Sequence, residues 1–403
     1  MIIGIDASRA NLQHKTGTEW YSFYLIKNLA EIDRTNKYWL YLNEPPRSEL
    51  IEAVKSNPNF SFKFLKWPLY AFWTLGRLTL EMLYCRPDIL FVPAHALPLF
   101  GPLKTVNTIH DIAFSREQSL YRPTKVKTYT RFSQKLIKFF VPFLTAGRYH
   151  YQSIDYLRWS TAFALRHAKK IIVVSDFTKQ EILDVYPKTN QMKIEVVYNG
   201  YPEDLYHLIN EPVKIKNILD KYGLEAPFFL YVGRLEKKKN IPLLVEAFSI
   251  FKENNPDNRT KLILIGDAGF GYDEVKYLIQ EYNLENEVIM PGWVSETDLP
   301  YIFNAARAFI FPSKHEGFGI PVLQAMACGV PTAISDIPVL REVATDASLF
   351  FNPNDKYSIA NSLIEIDKNE ELRNRLKTNG LERVKNFSWR KCAIETLKIF
   401  ENL

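Results

Sequence analysis

Residues 309–331 place a carboxylate, two glycines and a predicted helix start close together. Glu316 is followed by Gly317 and Gly319, and Pro321 stands where the first turn of a helix accepts proline. The free N–H groups and the dipole of such a helix N-terminus attract an anion. Glu316 would repel a bare phosphate. The spacing therefore indicates a ligand that also carries hydroxyl groups, as a sugar nucleotide does.

A second charged motif follows another apolar run, residues 228–232. We expect Arg234 and Lys239 to face the anion site across a cleft and to neutralise a diphosphate, Arg234 as a bidentate fork and Lys239 as a point charge. A solvated basic loop explains Lys237 and Lys238 well. It explains Arg234 less well, because Arg234 comes directly after a predicted buried strand.

Two further motifs are open to more than one interpretation. His110 and Asp111 follow the apolar residues 105–109, and they form either part of a site or a polar pair that ends a strand. Residues 266–271, Gly-Asp-Ala-Gly-Phe-Gly, resemble a nucleotide loop, but their order differs from the dinucleotide-binding fingerprint. Neither motif identifies a ligand by itself.

These motifs stand where apolar segments end, so those segments must form the elements that position them. Strands are predicted at residues 1–5, 38–42, 60–65, 88–92, 105–109, 170–174, 193–197, 228–232, 261–265, 288–290 and 308–311. Helices are predicted from residue 20 onward and at 177–185, 241–251, 296–306, 321–327, 359–367, 371–385 and 389–400.

Alternating strands and helices indicate an α/β fold with open parallel sheets. In such sheets, ligands bind beyond the carboxyl ends of the strands. Asp6, His110 and Ser175 fall at such ends, and Ser175 is the predicted N-cap of the helix at residues 177–185.

The chain is too long for one hydrophobic core, because its 403 residues suit two domains of about 200 residues each. We predict two Rossmann-like, doubly wound domains with a cleft between them, over residues 1–205 and 206–387. Residues 203–226 form the predicted connection. The helical segment 388–403 is expected to pack back on the first domain.

The composition is that of an ordinary globular protein, with 47% hydrophobic and 24% charged residues. No run of about 18 uncharged apolar residues predicts a transmembrane helix, and no export signal precedes the first strand. Cys85, Cys328 and Cys392 have no metal-ligand spacing and are expected to be reduced. We therefore expect a cytoplasmic protein, with peripheral attachment to the inner face of the cell membrane as an open alternative.

The positive charge is concentrated in residues 116–170. Twelve Lys or Arg stand there against Glu117 and Asp155, a local charge of +10 in a chain whose total is +6. Aromatic residues lie among the cations, and such a surface suits anionic lipid headgroups. Nucleic acid is the rival partner, but no recognition module is visible, and the aromatic residues alternatively belong to the core.

Several motifs together resemble the retaining glycosyltransferases of family four, which have the GT-B fold. They are Gly233-Arg-Leu with Lys239, Pro291-Gly-Trp-Val, Pro312-Ser with Glu316-Gly-Phe-Gly-Ile-Pro, and Ala325-Met-Ala-Cys-Gly-Val-Pro. The loop with Gly17 and the His110-Asp111 pair also match, so the resemblance spans nearly the whole chain. The segments Gly-Ile-Asp-Ala-Ser-Arg and Thr-Ile-His-Asp-Ile-Ala-Phe are most similar to the branch with bacterial surface-polysaccharide mannosyltransferases.

The resemblance implies a role for each matched position. Arg234 and Lys239 hold the donor diphosphate, and Glu316 and His110 contact the donor sugar. The remaining donor-binding positions are the loop and helix residues Phe318, Gly319, Ile320 and Val322, with Val294 near the base and Gly17 beside the phosphates. Gly17 allows close approach because it has no Cβ atom.

One position departs from the family pattern, in which a Glu stands eight positions after Glu316. This chain has Gln324 there. In the family, that carboxylate accepts hydrogen bonds from both ribose hydroxyls. A Gln oxygen still accepts, but its bonds are neutral and weaker, so we expect Gln324 to bind ribose with reduced affinity.

The resemblance implies a metal-independent, retaining transfer of a hexosyl group, with mannosyl favoured, from a nucleoside diphosphate sugar. The acceptor is a saccharide or lipid-linked glycan in cell-surface polysaccharide synthesis. GDP-mannose is the favoured donor, and no further cofactor is expected. No carboxylate is placed as a nucleophile, which favours front-face displacement. Two alternatives are another GT-B enzyme, such as a phosphorylase or epimerase, and a two-lobed sugar-binding protein without catalytic activity.

Overall fold

The structure, a computed structural model, describes residues 1–67, 73–116 and 153–403. The chain divides into two compact units. Unit 1 consists of Met1–Asn199 with Trp389–Leu403, and unit 2 consists of Gly200–Ser388. Each unit is built on one parallel sheet, as described below.

The strands of unit 1 are short and largely apolar. They are β1 (Ile2–Asp6), β2 (Lys37–Leu42), β3 (Phe60–Phe64), β4 (Ile89–Val92), β5 (Thr105–Ile109), β6 (Lys170–Val173) and β7 (Ile194–Val196). Those of unit 2 are β8 (Phe228–Val232), β9 (Lys261–Ile265), β10 (Val288–Gly292), β11 (Ala308–Phe311), β12 (Thr332–Ser335) and β13 (Ser348–Phe351).

Helices follow most strands in both units. In the first half of the chain they are α1 (Gly17–Ile32), α2 (Ser48–Val54), α3 (Thr79–Tyr84), α4 (Ala113–Arg116), α5 (Ser153–His167) and α6 (Asp176–Val185). In the second half they are α7 (Pro212–Lys221), α8 (Ile241–Glu253), α9 (Tyr272–Glu281), α10 (Leu299–Ala305), α11 (Ile320–Ala327), α12 (Pro338–Ala344), α13 (Lys356–Lys368), α14 (Glu370–Arg383) and α15 (Trp389–Glu401).

The strand order places a reversal at the centre of each sheet. In unit 1 the order is β3-β2-β1-β4-β5-β6-β7, and in unit 2 it is β10-β9-β8-β11-β12-β13, with every pairing parallel. The reversal falls between β1 and β4 in unit 1 and between β8 and β11 in unit 2. Loops that leave adjacent strands at such a reversal diverge to opposite faces, and this opens a crevice for a ligand.

Complete burial explains why the central strands are apolar runs. All four residues of β4 and of β11 are buried, as expected for parallel strands with helices on both faces. The predicted bounds of β5, β8, β9 and β11 match the structure. Ser175 is the N-cap of α6, as predicted, and its hydroxyl accepts a hydrogen bond from the Thr178 N–H at 3.1 Å.

Three features of unit 2 differ from the sequence-based expectation. Residues 203–226 are not only a connection, because they contain α7. The second sheet is also not completed by four strands, since β12 and β13 extend it beyond β11. The predicted helix at residues 296–306 begins only at Leu299, after a turn in which the N–H of Asp298 donates to the Ser295 carbonyl at 3.1 Å.

Candidate active site

The reversal in unit 2 lies between the two motifs that the sequence indicated. Phe309 of β11 pairs with Leu230 of β8. The loop with Arg234 and Lys239 leaves β8, and the loop with Glu316 leaves β11. The N–H of Lys314 donates to the carbonyl of Lys238 at 3.1 Å, so backbone contact holds the two loops together.

Lys239 and Glu316 form an ion pair between these loops. Lys239 Nζ lies 2.5 Å from Glu316 Oε1, and their side chains are 18% and 10% exposed. The ammonium group also lies 5.5 Å from the centroid of the Phe311 ring. Two residues that are 77 positions apart in the sequence are therefore direct partners in the structure.

The electrostatic environment keeps Glu316 ionised. Burial alone would raise the pKa of Glu316, but the positive charges of Lys239 and Lys238 and the hydrogen bond from Lys239 outweigh it. The pKa therefore lies below its ordinary value. A carboxylate held in this way is an acceptor for hydroxyl groups and a source of repulsion for phosphate.

Arg234 is exposed on the same loop, and no ion pair of its guanidinium group is recorded within the described ranges. Its position depends on two glycines. A Cβ atom on Gly266 would lie 2.1 Å from the carbonyl oxygen of Gly233, and one on Gly233 would lie 2.7 Å from the Tyr231 hydroxyl. The Tyr231 hydroxyl donates to the Arg234 carbonyl at 3.1 Å. Backbone packing thus fixes the base of the Arg234 loop.

The N-terminus of α11 faces the end of β11, where the anion site was predicted. Gly319 is the N-cap with a φ of 101°, a conformation that favours glycine. The Val322 N–H donates to the Gly319 carbonyl at 2.9 Å. No backbone partner is recorded among the described residues for the N–H groups of Gly319 and Ile320. Phe318 is buried and packs against Phe387 with the ring centroids 5.7 Å apart.

Gln324 and Val294 are two further buried residues of unit 2. Gln324 lies in α11 and is only 8% exposed, and no hydrogen bond of its side chain is recorded within the part of the chain that the structure describes. Val294 follows β10 and is 5% exposed. Its side chain therefore contributes to the core, and only its backbone is available to a base.

His110 and Gly17 belong to unit 1. Burial, followed by the nearby His95, lowers the pKa of His110 to about 4, so the ring is neutral near pH 7. His110 Nε2 lies 3.1 Å from the carbonyl oxygen of Pro93. A neutral ring must donate there, which leaves Nδ1 as an acceptor for a hydroxyl group.

Gly17 is the first residue of α1, and the fold itself does not require glycine there. A Cβ atom at this position would meet no other atom within 4 Å. The start of α1 is instead fixed by Glu19, whose carboxylate accepts from the Thr16 N–H at 3.2 Å and pairs with Arg9 at 2.8 Å.

Comparison with known proteins decides the family. The model described as Glycosyltransferase Family 4 matches residues 16–205, and the model described as Glycosyl transferases group 1 matches residues 215–383. The O-antigen chain mannosyltransferase B of Escherichia coli is 32% identical over 265 residues, which cover 65% of this chain and 68% of that protein. The chain belongs to glycosyltransferase family 4. Its resemblance to surface-polysaccharide mannosyltransferases is confirmed.

Solved structures confirm the GT-B fold of this glycosyltransferase. Sucrose-phosphate synthase from Thermosynechococcus elongatus superposes with a TM-score of 0.74 at 19% identity, over 100% of this chain and 98% of that one. Anabaena HepE in complex with UDP-glucose gives a TM-score of 0.72 at 17% identity, over 100% of this chain and 99% of that one.

In this glycosyltransferase, unit 2 brings Arg234, Lys239, Glu316 and the start of α11 to one edge of its sheet, whereas His110 and Gly17 lie in unit 1. Asn240 was missed as a supporting residue. It has a φ of 60°, and its side-chain amide donates to the Pro353 carbonyl at 2.7 Å, so it fixes the junction between Lys239 and α8. The only sequence signal was an Asn before a helix.

Residues 266–271 also have a structural role that the sequence did not reveal. The N–H of Leu235 donates to the Asp267 carbonyl at 2.9 Å, and the N–H of Lys237 donates to the Phe270 carbonyl at 2.7 Å. The glycine-rich loop therefore supports the Arg234 loop, and its glycines allow this close approach.

Other predictions remain untested. Residues 117–152, most of the proposed membrane-docking segment, lie outside the described ranges. Within those ranges, no helix is long and apolar enough to cross a membrane. In the same part of the chain, no group of three or more His, Cys, Asp or Glu is placed to hold a metal ion. Metal independence stays a prediction.

Proposed function

We propose that this glycosyltransferase moves a mannosyl group, with retention of configuration, from a nucleoside diphosphate sugar to a saccharide or lipid-linked glycan. The E. coli relative is named an O-antigen chain mannosyltransferase, which supports mannose as the sugar and surface polysaccharide as the product class. GDP-mannose is the favoured donor. HepE, which shares the fold, was crystallised with UDP-glucose, so UDP-sugars belong in any donor screen.

The observation that carries the proposal is the arrangement of Lys239, Glu316 and Arg234 at the reversal of the second sheet. Lys239 and Arg234 supply positive charge for a diphosphate, and Glu316 supplies an acceptor for sugar hydroxyls. The N–H groups of Gly319 and Ile320 at the start of α11 add donors for phosphate oxygens.

Transfer would proceed on one face of the sugar. The bond between the sugar C1 atom and the diphosphate oxygen breaks as the acceptor oxygen forms its bond to C1 from the same side. The departing diphosphate oxygen takes the acceptor proton. Arg234 and Lys239 stabilise the charge that develops on the leaving group, so catalysis depends on positioning and electrostatics.

A ligand screen followed by kinetics tests the proposal. GDP-, UDP- and dTDP-sugars are first compared by thermal shift, since a ligand that binds only the folded state raises the melting temperature. With the donor so identified, Arg234→Ala and Lys239→Ala should each lower kcat/KM by about a hundredfold or more, because each removes a charge that stabilises the transition state. Circular dichroism should show a folded protein in both cases.

Lys237→Ala is the matched control, because Lys237 is an exposed cation of the same loop. We expect near-normal transfer in this variant. Near-normal rates in Arg234→Ala and Lys239→Ala would refute the assignment. The anomeric configuration of the product, read by NMR, tests retention. Product analysis also separates transfer from phosphorolysis and epimerisation.

A further inference from the structure

Without ligand, one of the two cations proposed to bind the diphosphate is already neutralised. Lys239 Nζ lies 2.5 Å from Glu316 Oε1, and both side chains are largely buried. A diphosphate that uses Lys239 must therefore compete with Glu316. Glu316 is held near Lys239, because the hydrogen bond from the Lys314 N–H to the Lys238 carbonyl joins the two loops.

The intact donor and the spent nucleotide differ in what they offer Glu316. A donor brings sugar hydroxyls, which donate hydrogen bonds to the Glu316 carboxylate. These bonds offset the weaker interaction of Glu316 with Lys239 when Lys239 also binds the diphosphate. The free nucleoside diphosphate brings no hydroxyl to that position. Its terminal phosphate also carries about −1.5 to −2 charge at pH 7, more than a phosphate esterified to a sugar.

We infer that the Glu316–Lys239 pair makes the site select the intact nucleotide sugar over the nucleoside diphosphate product. This inference rests on the proposed function, because it assumes that Lys239 meets the diphosphate and Glu316 the sugar. After transfer, Glu316 loses its hydroxyl partners, repels the more highly charged product and takes back Lys239. The pair therefore promotes product release as well as donor recognition.

The same arrangement predicts how a substitution of Glu316 changes product binding and transfer. Removal of the Glu316 charge frees Lys239 and ends the repulsion of the terminal phosphate, so the product should bind more tightly. Transfer should nevertheless fall, since the donor sugar loses its carboxylate acceptor. Tighter product binding together with slower turnover is not expected of a residue that only supports the fold.

The test measures the binding of GDP and GDP-mannose by calorimetry in the wild type and in Glu316→Gln, which is nearly isosteric. If the thermal-shift screen selects another base, the corresponding pair is used. We expect GDP to bind about tenfold more tightly to Glu316→Gln, while the preference for donor over product falls by a similar factor. Unchanged or weaker GDP binding in this variant overturns the inference.

Glu236→Gln is the matched control, because it removes a carboxylate that lies on the loop of Lys239 but does not pair with Lys239. Its GDP affinity should stay within about twofold of the wild type. A gain equal to that of Glu316→Gln would show a general charge effect and would overturn the inference.

A second measurement requires no variant. GDP methylated on its terminal phosphate carries the lower charge of a donor but no sugar, and the wild type should bind it more tightly than GDP. Equal or weaker binding counts against the inference. The proposed function fails separately, if the wild type binds none of the nucleoside diphosphates or their sugars.

Discussion

Gln324 is a nearly buried amide whose side chain has no recorded hydrogen-bond partner within the described ranges. Because Gln324 retains 8% exposure, its amide stays open to solvent, where a ligand or water can pair with it. The family pattern places a Glu at this position, toward the donor ribose. Both observations lead to the hypothesis that Gln324 faces the ribose hydroxyls.

Gln324→Glu should bind the donor nucleotide roughly fivefold more tightly, because hydrogen bonds to a carboxylate exceed those to a neutral amide by about 1 kcal/mol. Calorimetry with GDP, or the nucleotide that the screen selects, measures the gain. The 2′-deoxynucleotide is the control, and most of the gain should disappear with it. A gain that persists without the 2′-hydroxyl, or no gain at all, would contradict ribose recognition by this residue.

His110 illustrates how burial limits the chemistry of a side chain. With its pKa lowered to about 4, the ring is neutral near pH 7, and its one N–H is used in the hydrogen bond to the Pro93 carbonyl. The Tyr21 ring lies edge-on to His110, with centroids 4.7 Å apart, and keeps the imidazole in place. The expected role is therefore acceptance of a hydrogen bond from the donor sugar, and not proton transfer to the leaving group.

Among the elements of unit 2, the loops after β8 and β9 behave as one structure. Gly233 and Gly266 allow their backbones to touch, and further backbone bonds join Leu235 to residues 267 and 269. The loop after β9 thus positions the loop that carries Arg234 and Lys239.

Gly266→Ala should therefore impair the site from a distance. The new Cβ would lie 2.1 Å from the Gly233 carbonyl oxygen, so the Arg234 loop must shift. We expect a loss of about 3 kcal/mol in the free energy of unfolding of unit 2 and donor binding at least tenfold weaker. Chemical denaturation and calorimetry measure the two effects.

Gly223→Ala is the control for Gly266→Ala. Gly223 also has a left-handed φ, 65°, but a Cβ atom there meets nothing within 4 Å. It should lower stability by only about 1 kcal/mol and leave donor binding unchanged. Equal effects of the two substitutions would show that backbone conformation, and not contact between the loops, determines the outcome.

The sequence predicts strands that are continuous apolar runs, and it misses short strands that begin with a polar residue. β8 and β11 are continuous apolar runs, and their bounds were predicted correctly. β12 and β13 were missed because each is only four residues long and begins with a polar residue, Thr332 or Ser348. These residues are buried all the same, since their hydroxyl groups bond to each other at 2.5 Å across the two strands.

The candidate site was predictable to a similar extent. Arg234, Lys239 and Glu316 could each be selected by residue type and by their position after a strand. The pairing of Lys239 with Glu316 could not, because it depends on β8 lying beside β11 although β9 and β10 come between them in the chain. Strand order follows from tertiary packing, which local patterns do not encode.

For the molecule as a whole, the chain returns to unit 1 after completing unit 2. α15 is the last helix, yet it packs against α1 and the first sheet. The Trp389 ring stacks on Tyr24 with centroids 5.6 Å apart, and the Phe400 ring lies 5.3 Å from that of Phe91 in β4. The stability of unit 1 thus depends on residues that follow unit 2 in the chain.

Phe400→Ala should destabilise unit 1 by about 3–5 kcal/mol, because Phe400 is fully buried and the substitution leaves a cavity against Phe91. Hydrogen exchange resolves the effect by unit, and we expect faster exchange in α1 and β4 but not in β8 or β11. Ile394→Ala on the same helix is the control. Ile394 is 36% exposed, so its loss should cost about 1 kcal/mol or less. Equal effects of both substitutions, or faster exchange in unit 2 as well, would show that α15 does not stabilise unit 1 specifically.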